Sequence, residues 1–433
     1  MKSLFSKVPQ LLGAQAPQRY IKGIFWVLIA RVLSMGVSLV TVFYIARTLG
    51  PQNFGELSYS VSVITLLAFF GAIASSTVIC RDLVRNPELQ HKIIGTSWIL
   101  ALLGNLVTIF LVFLLVAILP HDKITIMVIA ILSIAQLFTP FQVTRNVFFA
   151  TAETKKISLG QLIIHIIISL LKVIAMISGK GVLVLASIML LEQIFIATAS
   201  LALYIIHTKT NPLSWRWDST YAKNITFDSL PFVLITLSST VAARIDQVFI
   251  KYFVNTTTVG LYNVAVQFTE IWQVLPQTFI AVLFPAIVNA HISKTFYKKR
   301  VLMMAVLIIT YSTSISILIT IFAPYIVPLI YGDAFISSVP LLQVYTWSLL
   351  GIVIGFMITN VLVTENQRKI QIVVGVVPMF LNIALNLLWI PSYGALGAAW
   401  ATVLSFTCAP LIPFFFKDIR AKFLTNGNQK KIE

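Results

Sequence analysis

Twelve apolar runs, each about as long as a bilayer-crossing helix, follow one another along this chain with only short polar connections between them. A hydrocarbon core roughly 30 Å thick takes about 20 helical residues to cross, and it offers no water to satisfy an open backbone. The runs are 23–46, 54–80, 93–119, 124–149, 157–178, 181–206, 227–250, 258–290, 301–328, 338–363, 370–391 and 395–416. They predict an all-α polytopic membrane protein and leave no room for a sizeable soluble domain. Composition agrees. The chain is 58% hydrophobic and only 10% charged, whereas a soluble domain carries about 25% charged residues. The apolar stretch after the polar start is too long for a signal peptide and lacks a small-residue cleavage site, so no segment is expected to be removed.

A formal net charge of +17 would suggest nucleic acid in a soluble protein. Here the basic residues sit in the short connections, where they set topology instead, and no nucleic-acid partner is expected. With the start placed inside, 24 of the 31 Lys and Arg residues fall in inner segments, among them Arg81, Arg85 and Lys92, then Arg145, Lys155 and Lys156, then Lys298, Lys299 and Arg300. Outer segments hold Arg47, Lys123, Lys180 and Lys251; Arg145, near the end of the run 124–149, is counted with the inner segment that follows, and the remaining three, Arg31, Lys172 and Arg244, are placed within helices. Both termini are therefore predicted to be cytoplasmic. The longest connection, 207–226, is polar and divides the chain into an N-terminal lobe (1–206, helices 1–6) and a C-terminal lobe (227–433, helices 7–12, ending in a short basic tail). At an offset of 205 residues, Ile45, Gly55 and Val61 coincide with Ile250, Gly260 and Val266, a weak trace of duplication.

No catalytic constellation stands out. The histidines (His91, His121, His165, His207 and His291) are scattered without metal-ligand spacing, and His165 reads as a hydrogen-bonded structural residue. Cys80 and Cys408 have no ligand spacing around them, which argues against a zinc site or structural disulfide. There is no nucleotide-binding phosphate loop. Neither a metal nor a cofactor is expected, and solute movement would draw on an ion gradient, on consumption of the product or on a partner.

Ionisable residues inside the runs carry the functional signal, because a charge in the bilayer is costly unless it is paired or faces water. Arg31, Lys172 and Arg244 are the cationic candidates for binding an anionic head group in a polar cavity. Asp246, Glu192 and Glu270 would neutralise them, bind a coupling ion or exchange a proton. The competing reading is structural: Lys172 reaches an interface, and Glu192 or Glu270 pairs with a basic neighbour. Gln273 and Gln277 are four apart, as are Asn382 and Asn386, so each pair shares a helix face that suits either sugar hydroxyls or helix packing. Pro231, Pro276 and Pro285 interrupt apolar runs and offer bends.

Three segments resemble a known family. ARTLGPQNFGELSYS (46–60) is similar to the first-loop signature of polysaccharide exporters and Wzx-type flippases, within the MATE-like multidrug/oligosaccharidyl-lipid/polysaccharide (MOP) superfamily. RIDQVFIKYFVNTTTVGLYNVA (244–265) resembles that family's seventh helix and the turn into the eighth. YGDAF (331–335), Pro340, Leu342 and LNIALNLLWIPSYGALGAAWAT (381–402) resemble its later helices.

The resemblance implies two six-helix lobes around a central cavity and a transporter, not an enzyme. It implies flipping of an undecaprenyl-diphosphate-linked repeat unit, for O-antigen of lipopolysaccharide or a related surface polysaccharide, across a bacterial inner membrane by alternating access coupled to H+ or Na+. The implied partners are that glycan, membrane lipids, and the polymerase and chain-length proteins of the same pathway, with the flippase itself a monomer. Fourteen-span exporters have two helices more than this chain accommodates. Other readings are a drug exporter, disfavoured by the intramembrane cations, and a pathway polymerase or ligase, disfavoured by the short outer segments.

Overall fold

The computed structural model describes residues 18–292 and 297–416, and among them there is no β-strand. The helices are α1 (Gln18–Leu67), α2 (Ser76–Arg85), α3 (Gln90–Ile118), α4 (Lys123–Gln136), α5 (Arg145–Ala150), α6 (Thr154–Ile177) and α7 (Val182–Thr208), followed by α8 (Ser219–Phe253), α9 (Thr256–Ile292), α10 (Tyr297–Tyr331), α11 (Val339–Tyr345), α12 (Ser348–Thr364) and α13 (Arg368–Cys408). Short 3-10 turns at Ala68–Ala72, Thr139–Thr144, Asp333–Ser338 and Ala409–Phe415 continue several of them. The protein is thus an all-α, multi-pass membrane protein.

All twelve predicted runs fall on helical segments, but two expected turns shrink to single residues. Gly50 (φ 73°, ψ 170°) breaks α1, and Gly394 (φ 57°, ψ −142°) breaks α13. The break at Gly50 uses a left-handed conformation that glycine adopts without penalty, and Pro51, which has no N–H to donate, starts the next helix. Among the described residues, eight helical segments are long and apolar enough to cross a membrane, or nine if the 43° bent pair Asp333–Tyr345 and Ser348–Thr364 is one span. Two of the eight, Ile29–Arg85 and Lys369–Phe415, each carry two predicted runs. The count of twelve spans and the sidedness of the ends remain expectations from sequence, and residues 1–17 and 417–433, with the basic residues they contain, lie outside the described residues.

The described residues form two compact units, 18–263 with 327–336 and 264–326 with 337–416. The sequence reading put the junction at 207–226; in the structure that segment packs within the first unit. Arg216 N donates to His91 O (3.3 Å), Asp218 N donates to Thr96 Oγ1 (3.0 Å), and Lys92 pairs with Asp218 at 3.4 Å. Asp218 then caps α8 by accepting from Tyr221 N at 2.9 Å. In the direction that follows, α8 packs against α1 and α3.

Residues of the weak duplication meet one another. Where α1 crosses the start of α9, a Cβ on Gly55 would lie 2.0 Å from Thr256 O, and one on Gly260 would lie 2.0 Å from Pro51 O. Close backbone approach of this kind requires glycine on both helices. Beside it, Asn263 Nδ2 donates to Ser58 Oγ at 2.7 Å across a separation of 205 residues. Pro51 with Thr256, Gly55 with Gly260 and Ser58 with Asn263 are all pairs at that same offset, so the crossing is two-fold in its pattern.

In the second unit α9, α10 and α12 share an apolar core that includes Ile280, Ile308, Leu349 and Val353. Asn382 Nδ2 donates to Thr402 Oγ1 (3.3 Å), joining the two arms of α13 across the Gly394 break, and Asn386 Nδ2 donates to Asn382 Oδ1 (2.8 Å) along the first arm. That assigns this amide pair to helix packing.

Candidate functional site

The first unit contains a cavity of about 610 Å³. Two broken helices build it. After Leu67, α1 gives way to a 3-10 turn and an irregular stretch before α2, and α4 ends at Gln136 before the Thr139–Thr144 turn and the short α5. Unwound backbone at membrane depth is tolerated only where protein or a water-filled cavity satisfies it. Here side chains do part of that work: Thr108 Oγ1 donates to Leu67 O (2.8 Å), Ser75 N donates to buried Ser229 Oγ (3.0 Å), and Asn105 Nδ2 donates to Gln136 O (2.9 Å).

Arg145, the first residue of α5, lines this cavity. Its Nε is sealed from solvent with no hydrogen-bond partner, and among the described residues its guanidinium has no carboxylate partner. Its contact is the ring of Phe149, 5.7 Å from the guanidinium carbon. Around it stand Gln142, hydrogen-bonded to Gln193 at 3.1 Å, with Asn105, Thr139 and Ser75 on other walls, and Phe69 and Phe232 supplying apolar surface. An unpaired cation amid amides and hydroxyls is suited to a phosphate or carboxylate whose neighbouring groups carry hydroxyls.

Sequence reasoning missed Arg145 because it treated 124–149 as one continuous helix and assigned the arginine to the inner loop with Lys155 and Lys156. The break before it turns that arginine inward. Pro140, together with the amides Gln136 and Gln142, was the available signal: a proline and two amides in an apolar run mark a break that something polar must satisfy.

The residues singled out from sequence lie elsewhere. Lys172 Nζ donates to Glu192 Oε2 at 2.6 Å, His165 Nδ1 meets Glu192 Oε1 at 2.9 Å, and His165 Nε2 meets Ser38 Oγ at 2.8 Å. This chain of contacts ties α1, α6 and α7 together, and both charged side chains of the pair are largely enclosed. Asp246 is fully buried, accepts the Tyr262 hydroxyl and receives Gln247 N at 2.8 Å. Gln247 continues the network by accepting from Ser62 Oγ (2.8 Å) and donating to Asn263 Oδ1 (3.3 Å). Arg244 is half-buried, and Arg31 is exposed on α1. Glu270, Gln273 and Gln277 are half-buried on α9, within the second unit. Of the predicted residues, Lys172 and Glu192 are brought together, while none of the eight lines the Arg145 cavity. Among the described residues no group of three or more His, Cys, Asp or Glu could hold a metal ion.

Comparisons with known proteins agree with this architecture. Residues 20–291 match the model of the family described as Polysaccharide biosynthesis protein. No curated protein matches by sequence. Among solved structures, the chain is similar to an inward-facing multidrug resistance MATE family transporter of the MOP superfamily, with TM-score 0.72 and 15% identity over 92% of this chain and 96% of the other. It is similar to the lipid II flippase MurJ in an inward closed conformation, with TM-score 0.71 and 14% identity over 92% of this chain and 89% of the other. A MOP superfamily transporter from Pyrococcus furiosus, whose reversed binding-pocket polarity is said to suggest a different function, matches with TM-score 0.64 and 16% identity over 97% and 99%. At these identities the likeness establishes the fold.

Proposed function

This chain belongs to the polysaccharide biosynthesis protein family, and we propose that it flips a lipid-linked oligosaccharide carrying a diphosphate, such as an undecaprenyl-diphosphate-linked repeat unit of O-antigen or a related surface polysaccharide. The observation that carries this reading is Arg145, an unpaired cation in a cavity of mixed apolar and polar lining framed by two broken helices. A guanidinium offers planar, bidentate donors to phosphate oxygens or to an acidic sugar. The amides of Gln142, Gln193 and Asn105 supply donors and acceptors for sugar hydroxyls, and the polyprenyl tail stays in the lipid, against the apolar exterior that residues such as Phe110 and Ile206 present. A cationic drug would meet repulsion in this cavity, which disfavours the drug-exporter reading.

The cavity would open to the two sides of a bacterial inner membrane in turn, driven by an ion gradient. Arg31 and Arg244, in the same unit but outside this cavity, are proposed as further contacts for the anionic head group along its path. The proposed setting is a monomer acting beside the polymerase and chain-length proteins of its pathway.

Deleting the gene and following the lipid-linked repeat unit tests this. Accumulation on the cytoplasmic leaflet without polymer is the expected outcome. Accumulation on the periplasmic leaflet would assign the protein to polymerisation or ligation instead.

A further inference from the structure

Glu56 is the acid in the first unit whose surroundings leave it unsatisfied. It lies on α1 next to the Gly55 crossing, is 5% exposed, and its Oε2 is buried without a hydrogen-bond partner. The other interior acids of this unit are provided for. Glu192 accepts from Lys172 and meets His165; Asp246 accepts from Tyr262 and Gln247 N; Asp82 accepts from Arg81 Nε at 2.8 Å and from Tyr221 Oη at 3.0 Å.

The groups around Glu56 come from three elements. From the end of α8, Lys251 places its Nζ 3.3 Å from Thr125 Oγ1, 3.9 Å from Asp122 Oδ1 and 4.1 Å from the centre of the Tyr59 ring. From the α3–α4 connection come His121 and Asp122. Tyr59 Oη and His121 Nε2 are 2.7 Å apart, and His121 Nδ1 is 2.7 Å from Leu119 O. A carbonyl can only accept, so Nδ1 carries the hydrogen, and neutral His121 accepts the Tyr59 hydroxyl at Nε2. Asp122 accepts from Thr125 N (3.0 Å) and Thr125 Oγ1 (2.7 Å). From the first turns of α9, the titratable group is Tyr262, engaged by Asp246. Asp122 and Lys251 are the charges that act on Glu56, one repelling its anion and the other attracting it.

We propose that Glu56 is a proton-exchanging carboxylate and that Lys251 is a counter-ion shared between Glu56 and Asp122. In the step, a hydronium ion gives its proton to a Glu56 carboxylate oxygen, forming the O–H bond and leaving water; Lys251 then remains with Asp122 and Thr125. Return of the proton to water leaves the Glu56 anion, which draws the Lys251 ammonium away from Asp122. A buried anion without a donor is costly, so a proton or the ammonium must cover it. Because Lys251, Asp122 and Glu56 sit on α8, the turn before α4 and α1, one proton changes which elements are held together. For its role in transport this rests on the flippase reading: it makes the coupling ion a proton and its carrier Glu56, instead of Asp246, Glu192 or Glu270.

Infrared difference spectra of the purified protein in lipid, recorded along a pH titration, test the site without any transported substrate. A protonated-carboxyl band that follows pH, vanishes in Glu56→Gln and persists in Glu192→Gln and Asp246→Asn is expected. A band unchanged in Glu56→Gln, or no band at any pH, would overturn the proposal. Should Glu56→Gln fail to fold, Glu56→Asp must displace the band, and an undisplaced band would count against the site. Lys251→Met should displace the titration midpoint of this band, since the anion loses its counter-ion; an unmoved midpoint removes Lys251 from the mechanism. In proteoliposomes holding a lipid-linked glycan, the native protein should respond to an imposed pH gradient and Glu56→Gln should not. Absence of any flipping by the native protein would defeat the flippase reading, while the infrared band would still decide the fate of Glu56.

Discussion

Arg145 and Lys172 are two cations within candidate membrane spans of the same unit, and their surroundings treat them in opposite ways. Lys172 has a carboxylate at 2.6 Å, and that carboxylate is further engaged by His165, itself in contact with Ser38. Arg145 has an aromatic ring, a cavity and a sealed nitrogen without a partner. A closed network of this kind fixes helices to one another, whereas an open cation waits for a ligand. Position in an apolar run is therefore weak evidence of function; the partner list is what separates the two cases.

Breaking the open member should have the largest effect on transport. Arg145→Gln should reduce flipping on the order of 30- to 100-fold, as expected for losing ~2–3 kcal/mol of charge-assisted hydrogen bonding. Its thermal stability in detergent should stay equal or rise, because an uncompensated cation is removed. A stability loss that tracks the activity loss would place Arg145 with Lys172.

The closed member should behave in the reverse sense. Lys172→Met strands Glu192 beside His165 and should cost about 3 kcal/mol of stability by denaturant or thermal unfolding. The double variant Lys172→Met, Glu192→Gln should recover much of that loss and retain transport. A double variant that is stable but inactive would return this pair to the substrate pathway.

Tyr262→Phe probes a closed acid. It removes the hydroxyl from fully buried Asp246 and should cost about 1–2 kcal/mol of unfolding stability.

The smallest effect concerns the turn between α3 and α4. Burial is the main influence on His121 and holds its pKa below the ordinary imidazole value, against the pull of the Leu119 carbonyl. The unfolded chain then binds a proton that the native protein refuses. Stability is complete above the ordinary imidazole pKa of ~6.5 and declines as pH falls below it, until the lowered native value is reached. His121→Gln should flatten the pH dependence of unfolding in that window.

Much of the architecture was legible because the bilayer allows few solutions. Each predicted run coincides largely with helix, since a span must satisfy its own backbone, and two that break, 54–80 and 124–149, do so around the Arg145 cavity. The Gly55 and Gly260 match, a faint signal in sequence, marks a real helix crossing because only glycine permits backbones that close. The linker at 207–226 was legible as polar but not as docked: Arg216 and Asp218 are bound by His91 and Thr96, residues more than a hundred positions away. Lys172 and Glu192 were visible as charges, whereas their pairing depended on how α6 meets α7. Arg145 was misplaced altogether, because a charge near the end of an apolar run looks the same whether the helix runs on or breaks before it.

By itself, then, the amino-acid order determined the solvent this protein lives in, the helical form of its segments and the places where glycine and proline interrupt them. These follow from local chemistry: hydrocarbon demands apolar side chains and closed hydrogen bonding over about 20 residues at a time. The tertiary structure decided which charges are spent on one another and which remain open, separating Arg145 and Glu56 from Lys172, Glu192 and Asp246. That distinction depends on distances of a few ångströms between residues far apart in sequence, and electrostatic energy in a low-dielectric interior is set by just those distances.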